Sequence, residues 1–141
     1  MALQIFSPEW VAAFEKELQA SEEYAKVAKG WKGAVMLHIL AEPSVGFNED
    51  IFVILDLHDG VCRSISLVSQ AEADEAEYII SGPYAAWKQV AQKKLGPVKG
   101  MMTGRLKLRK GSLGMITRYI KATQCIVDCV AGVDTYFPDA H

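Results

Sequence analysis

The side chains able to do chemistry are few and scattered. His38 sits inside an apolar run, Ala34–Val35–Met36–Leu37–His38–Ile39–Leu40. A histidine there moves protons only if a partner group meets it, and no sequence neighbour does, so a core histidine is the simpler reading. Asp56 and His58 stand at i, i+2 and share one strand face. That spacing suits an acid–base pair or two metal ligands, but the third ligand of a zinc site is not evident. His58 also borders a turn, where polar residues are ordinary, and His141 is terminal and expected to be mobile. Cys125 and Cys129 at i, i+4 share one helix face. With no second Cys/His pair at ligand spacing, they read as small buried apolar side chains. Gly111–Ser112–Leu113–Gly114 is a lone GxxG, which a strand-to-helix turn explains. There is no P-loop, dinucleotide fingerprint or nucleophile elbow. No catalytic residue, metal site or cofactor is therefore expected.

Two other patterns carry more information. Pro97, Val98, Met101 and Met102 cluster between a helix and a strand, with Met115 near the start of the last helix. Methionine is flexible and polarizable, so such a cluster fills a core or adapts to variable apolar shapes. The second pattern is charge. Residues 1–87 hold 14 Asp/Glu and 5 Lys/Arg, whereas residues 88–127 hold 10 Lys/Arg and no acid. The bland reading is a solvated face that pairs with the acidic half on folding. The sharper one is a surface for an anion: a phosphate head group, an acidic membrane or nucleic acid. Against nucleic acid, only Tyr119 interleaves a basic stretch, and stacking platforms need several exposed aromatics.

The elements that must position these groups follow from periodicity. Ser7–Pro8–Glu9 starts a helix, with Ser7 as cap, Pro8 at the first turn and Glu9 at the positive end of the dipole. Trp10, Phe14 and Leu18 share its inner face, and Glu15, Lys16 and Gln19 face out. The helix fades before Ser21–Glu22–Glu23, and Tyr24, Val27 and Trp31 pack back on the core. Strands are predicted over Gly33–Glu42, Ile51–His58 and Val61–Leu67, the last two joined by the hairpin signal Asp59–Gly60. Alternation puts Val61, Arg63, Ile65 and Leu67 opposite Cys62, Ser64 and Ser66. Glu77–Ser81 is a fourth strand stopped by Gly82–Pro83, and Pro83–Lys94 is helical through Tyr84, Trp87, Val90 and Ala91. Gly104–Lys110 is an edge-like strand with Leu106 and Leu108 inward and Arg105, Lys107 and Arg109 outward. A last helix begins after Gly111–Ser112, with Met115, Ile116, Tyr119, Ile120, Ile126, Val127 and Val130 on its apolar face. The strand–helix–strand unit is expected to cross over right-handed. The whole is an α+β domain: a mostly antiparallel five-stranded sheet with helices packed on one face.

The 141 residues imply a single domain spanning 1–141, large enough for a real core without staples. With half the residues hydrophobic, a disordered tail is excluded. No apolar run approaches the ~20 residues of a membrane span. Met1–Phe6 shows neither a basic leader nor an apolar signal core, and three cysteines are an odd count. A reducing cytoplasm is the expected location.

Gly82–Pro83–Tyr84–Ala85–Ala86–Trp87, the stretch Gly104–Arg105–Leu106–Lys107–Leu108–Arg109–Lys110–Gly111 and the helix after Ser112 together resemble the sterol carrier protein type 2 domain. That family shows a short strand, an aromatic-bearing helix, then a glycine-flanked strand and turn before its closing helix. The resemblance covers about residues 5–137 and is sharpest over 82–120. Ser112 stands where the family has a turn acid or amide, and Arg109–Lys110 make this end unusually basic. The match suggests a freestanding prokaryotic-type member. It implies an apolar tunnel between sheet and helices that carries a fatty acid, fatty acyl-CoA, phospholipid or sterol, without catalysis. Trp87, Met101, Met102, Leu106, Met115, Ile116, Tyr119 and Ile120 are the expected ligand contacts. Lys99, Arg105, Arg109 and Lys110 are the expected head-group or membrane contacts. The expected partners are the lipid and an anionic membrane surface, with a homodimer left open and no nucleic acid. The alternative is a basic-surface module that binds nucleic acid or an acidic partner.

Overall fold

The computed structural model describes residues 2–139, so His141 lies outside the described residues. The chain runs β1 (Leu3–Gln4), α1 (Pro8–Ala20), α2 (Glu22–Val27), β2 (Val35–Leu40), β3 (Ile51–His58), β4 (Val61–Leu67), α3 (Gln70–Ala73), β5 (Tyr78–Pro83), α4 (Tyr84–Ala91), α5 (Pro97–Met102), β6 (Lys107–Lys110), α6 (Leu113–Arg118), α7 (Ile120–Ala131) and β7 (Thr135–Tyr136). The fold is α+β. Five strands in the order β4-β3-β2-β5-β6 are antiparallel except for the central β2–β5 pair. No helix among the described residues is long and apolar enough to cross a membrane.

Local chemistry sets most of these boundaries. The Ser7 hydroxyl accepts a hydrogen bond from the Trp10 N–H at 3.2 Å, with Pro8 in the first turn, and α1 buries Trp10, Val11, Phe14 and Leu18. Ser21 ends α1 and also caps α2, its hydroxyl accepting from the Tyr24 N–H at 3.1 Å. Periodicity marks Ser21–Glu22–Glu23 only as a stop. It is a start as well, since a capping serine followed by two acids satisfies orphan N–H groups and suits the helix dipole. Asp59 and Gly60 both take positive φ, 49° and 82°, the geometry of a tight primed turn.

Several expectations fail for identifiable reasons. The outward face predicted for α1 is not idle. Glu15 Oε2 accepts from the Ile65 N–H at 2.8 Å, and Gln19 Nε2 donates to the Cys62 carbonyl at 3.1 Å. α1 thus satisfies backbone groups of β4, which would otherwise form an open sheet edge. Along β4 the predicted alternation breaks because Asp56 pairs with Ser64 and Leu57 with Cys62, leaving Arg63 as an extra, bulged residue. Cys62 and Ile65 therefore both turn inward, and Val61 is 57% exposed. The strand–helix–strand unit does not cross over: β6 returns antiparallel to β5, and the sheet's parallel pair is β2–β5. Pro97 opens a helix instead of only ending the previous one, which adds α5. Tyr119 leaves helical geometry at φ −105°, ψ 35° and splits the predicted last helix into α6 and α7. Two-residue strands β1 and β7 pair in parallel and clasp the chain ends, a unit too short for any sequence pattern.

The main core lies between the sheet and helices α1, α2, α4, α5, α6 and α7. On the other sheet face, Met36, Ala73, Ala76 and Ile79 form a small second cluster beneath α3. Gly111, at φ 106°, lies where a Cβ would drive into the Tyr78 ring, whereas a Cβ at Gly114 inside α6 meets only Ser112 Oγ at 3.5 Å. Gly111→Ala is expected to cost about 1–3 kcal/mol, whereas Gly114→Ala should add about 0.5–1 kcal/mol. Urea midpoints of the two variants check this contrast.

Candidate functional site

The sheet's helix-facing residues Val35, Leu37, Leu55, Leu57 and Ile80 form one wall of a cavity of about 120 Å³. The other wall comes from Trp87 and Val90 of α4, Met101 of α5, Ile116 of α6, Tyr119, and Ala122, Ile126 and Val130 of α7. Phe6, Trp10, Phe14, Tyr24 and Trp31 close one end. Almost every lining atom is carbon. Thr123 Oγ1, at the rim, is already bonded to the Tyr119 carbonyl of its own helix at 3.3 Å. An apolar hollow of this kind holds no water and accepts apolar guests.

All three tryptophans line it, and each is tied by its indole N–H to a group beyond it. Trp10 Nε1 donates to Thr135 Oγ1 at 2.9 Å, Trp31 Nε1 to the Gly33 carbonyl at 2.9 Å, and Trp87 Nε1 to the His38 carbonyl at 3.1 Å. A ring held at its polar edge cannot swing inward to fill the space without losing a buried hydrogen bond. Trp31 also packs at a tilt on Tyr78, ring centroids 4.7 Å apart, and meets Tyr119 edge-to-face at 5.4 Å. Burial and the nearby cysteines push the Tyr24 hydroxyl well above its ordinary value, so it stays neutral.

Of the residues the sequence singled out for ligand contact, Trp87, Met101, Ile116 and Tyr119 come together on this cavity. Leu106 does not: it is 1% exposed, packed into space that Gly82 and Gly100 leave open. Met115 is half-buried against the core but outside the lining. Met102 and Ile120 are 72% and 38% exposed, each one residue beyond a lining residue. The lining residues that were not singled out as contacts lie mainly on the sheet, on α1–α2 and on α7. The spacing of Tyr119, Ala122, Ile126 and Val130 was the available signal on α7, but a stripe that lines a hollow has the same period as one that fills a core.

Besides Val35 and Leu37 on the sheet wall and Tyr119, the half-exposed lining residues fall on the helix side. Ala91, Pro97 and Met101 stand on one side and Thr123, Ile126 and Val130 on the other. Lys93 Nζ and Asp128 Oδ1 join α7 to the end of α4 at 2.7 Å. Lys99 shares α5 with Pro97 and Met101, and Arg105 is bonded to the Gln89 side chain of α4. Lys110 is drawn the other way, donating to the Asp74 carbonyl beyond α3, and Arg109 is exposed on the edge strand β6. The acidic half of the chain does not neutralise the basic block. Among the described residues only Lys88 and Lys93 of the ten cations pair with carboxylates, those of Asp139 and Asp128, both outside residues 1–87. Tyr119, the aromatic that interleaves the basic stretch, is half-buried on Trp31 and offers no stacking platform.

The other candidate groups lie elsewhere. His38 does have partners, on the sheet face away from the cavity: its Nε2 lies 2.7 Å from Asp50 Oδ2, its Nδ1 3.2 Å from Ser81 Oγ, and its ring stacks on Phe52. The order Ser–His–Asp resembles a relay, but Ser81 is 2% exposed and sealed within the sheet. The hydrogen bonds from His38 and from the Ala41 N–H hold the Asp50 carboxyl below its usual range. Asp56 faces Arg63 at 4.0 Å, and His58 is an exposed strand end. All three cysteines are free and buried. Cys125 Sγ meets Ser21 Oγ at 3.4 Å, and burial pushes the Cys62 and Cys129 thiols up to about 11. Among the described residues, no group of three His, Cys, Asp or Glu is placed to hold a metal.

The model of the SCP-2 sterol transfer family matches residues 13–124. A crystal structure of sterol carrier protein 2 is 33% identical, covers 92% of this chain and 99% of its own, and has a TM-score of 0.84. The solution structure of a conserved hypothetical protein from Thermus thermophilus is 32% identical, covers 96% of this chain and 93% of its own, and has a TM-score of 0.85. Sterol Carrier Protein-2 of Aedes aegypti, in complex with the C16 fatty acid palmitate, shares the fold at 12% identity and a TM-score of 0.55, covering 87% of this chain and 98% of its own. No curated protein matches the chain.

The His38–Asp50 contact generates an acid-side expectation. A carboxyl depressed in the folded state contributes stability above its unfolded value, near 3.8, and loses it as pH falls through the lower folded value. Asp50→Asn is therefore expected to be destabilised at neutral pH and to match the unmodified protein more closely by about pH 2. Urea midpoints measured across the acid limb check it; a constant gap between the two proteins would contradict it.

Proposed function

This chain belongs to the SCP-2 sterol transfer family, and from that premise we propose that it is a non-catalytic lipid carrier. The tail of a fatty acid, fatty acyl-CoA, phospholipid or sterol enters the cavity between sheet and helices while its polar head stays at the rim. The observation that carries this reading is the carbon-lined hollow itself. With almost no polar atom facing in, a bound molecule must enter tail first. The palmitate complex of the Aedes aegypti protein is a precedent on the same fold.

Within that list a single flexible chain fits best. At about 120 Å³, the hollow approaches the size of an engineered cavity of roughly 150 Å³ that binds benzene. It takes the leading part of one acyl chain, and a longer chain enters as the unbranched Met101 side chain and its neighbours at the rim give way. A rigid sterol would need a larger displacement of both walls. Trp87, Met101, Ile116 and Tyr119 then touch the tail. Lys99 and Arg105, on the α4–α5 side, are the cations assigned to an anionic head, and Arg109 and Lys110 add to the field of the same basic block. The magnitudes suit a carrier. Ten buried methylenes give about 8 kcal/mol gross, close to that of a micromolar complex. Ordering the chain takes part of this back, so the cargo can leave.

The cavity also carries its own test. Leaving it empty costs about 3 kcal/mol at roughly 24 cal/mol per Å³. Ala122 is buried in its lining, and Ala122→Leu adds three carbons to it. The variant is expected to gain about 1–2 kcal/mol of stability and to lose at least about tenfold in cis-parinaric acid affinity, a loss of about 1.4 kcal/mol. Thr123→Leu at the rim is the companion should Ala122→Leu misfold. Native mass spectrometry of the purified protein with palmitate gives the direct readout. No adduct with palmitate, together with no binding of cis-parinaric acid, rejects the carrier reading.

A further inference from the structure

A second hollow adjoins the first. It is an open groove of about 500 Å³ bordered by the C-terminal ends of α4 and α7 and by β7. Ala91, at the end of α4, and Val130, near the end of α7, line both spaces, so the cavity continues into the groove past these two side chains. Size gives the groove a use. A cavity of roughly 150 Å³ holds benzene, six carbons, and this one is about 120 Å³. A C16 chain, such as the palmitate of the Aedes aegypti complex, is more than twice as long as that allows. Beyond Ala91 and Val130 the carbon surface is extended by Val133 and Phe137, while Gln92 and Asp134 bring polar side chains to the same groove. Charge sets the direction in which a chain would lie. Two helices end here, so the groove feels the negative ends of two dipoles, and Asp134 adds to them. The lining cation, Lys93, is bonded to Asp128 at 2.7 Å. A carboxylate is disfavoured in such a field, whereas Lys99 and Arg105 stand on α5 and the loop after it, away from the groove lining.

We propose that this groove is the outer part of the ligand site: it takes the far end of an acyl chain too long for the cavity, and it accepts long-chain acids that carry a hydroxyl at that end. The proposal rests on the carrier reading and narrows its ligand class. The carboxylate stays beside Lys99 and Arg105, and the chain runs through the cavity and out between Ala91 and Val130. The tolerance of a terminal hydroxyl follows from the surroundings. Inside the carbon-lined cavity such a group would be left without a partner, at a loss of about tenfold or more in affinity. In the groove it meets Gln92, Asp134 and solvent.

Stearic acids carrying a nitroxide at the fifth or the sixteenth carbon locate the two ends of the chain by broadening nearby amide resonances. The label at the sixteenth carbon should broaden the amides of residues 131–137, and the label at the fifth those of residues 99–101. Calorimetric titration supplies the affinities. The acid 16-hydroxyhexadecanoate should bind within about threefold of palmitate, because its hydroxyl keeps partners in the groove. Ala131→Trp fills the groove from a position outside the cavity lining. It should weaken palmitate about tenfold, the equivalent of about two buried methylenes, and decanoate less than about twofold. Gln92→Trp, on the α4 side, should show the same selectivity. Three results would overturn the groove and leave the carrier standing: the sixteenth-carbon label acting on residues 99–101 instead, equal losses of palmitate and decanoate in both tryptophan variants, or a loss of about tenfold or more on adding the hydroxyl. Failure of the unmodified protein to bind either palmitate or decanoate would remove the carrier reading and the groove with it.

Discussion

The structure depends on a hollow that the side chains around it are prevented from filling. Collapse would be the default for a space lined by leucine, isoleucine, valine and aromatic rings, because every carbon facing a void forfeits dispersion contacts. Here the large rings are held at their far edges. Trp10, Trp31 and Trp87 each spend their one N–H on a partner outside the cavity, and Tyr119 is wedged between Trp31 and the close approach of Gly30. The sheet behind them is a continuous hydrogen-bonded layer, and α1 secures its β4 edge through Glu15 and Gln19. The void is thus a property of a rigid frame. A domain whose total stability is of order 5–15 kcal/mol keeps a hole of this size only by being well supported elsewhere.

The same frame separates the molecule into two chemical territories. Carbon occupies the cavity side of the sheet, whereas the other side carries the polar cluster of His38, Asp50 and Ser81 beside the small apolar cluster under α3. Residue parity on β2 decides this: Val35 and Leu37 point to the cavity, so His38, the next residue along, points away. A histidine one position earlier, at Leu37, would face the hollow. Charge is divided just as sharply along the chain. The acidic residues of α1 and α2 stand early in the chain, and the cations of residues 88–127 lie on and between helices α4 to α7 and β6, with α1 and α2 packed on α7. Among the described residues no cation of 88–127 pairs with a carboxylate of 1–87, so folding does not cancel the charge asymmetry of the sequence.

Much of the fold was legible because its signals are local. The Ser7 cap, the Asp59–Gly60 turn, the alternation of β3 and the period of α1 each reside within a few residues. The strands β3 and β4 keep the limits that alternation predicts. What escaped was set at a distance or by too few residues. The bulge at Arg63 depends on how β4 registers against β3, and the β1–β7 clasp needs both ends of the chain. The short helix α5 was hidden because Pro97 reads equally as a stop or a start.

The sequence alone determined that an α+β fold would form, that its middle strands would alternate, that one stretch would be strongly basic, and that it resembled the sterol carrier family. Those are consequences of periodicity, composition and motif, which need no third dimension. Tertiary structure decided which apolar residues pack solidly and which border a void. Leu106 and Ile116 are equally apolar and nearly equally buried, at 1% and 5% exposure, yet Leu106 is enclosed in packed surroundings and Ile116 faces the hollow. That difference belongs to the neighbours that other elements bring, the space left at Gly82 and Gly100 in one case and the standing-off of α6 from the sheet in the other, and no property of the residue itself encodes it.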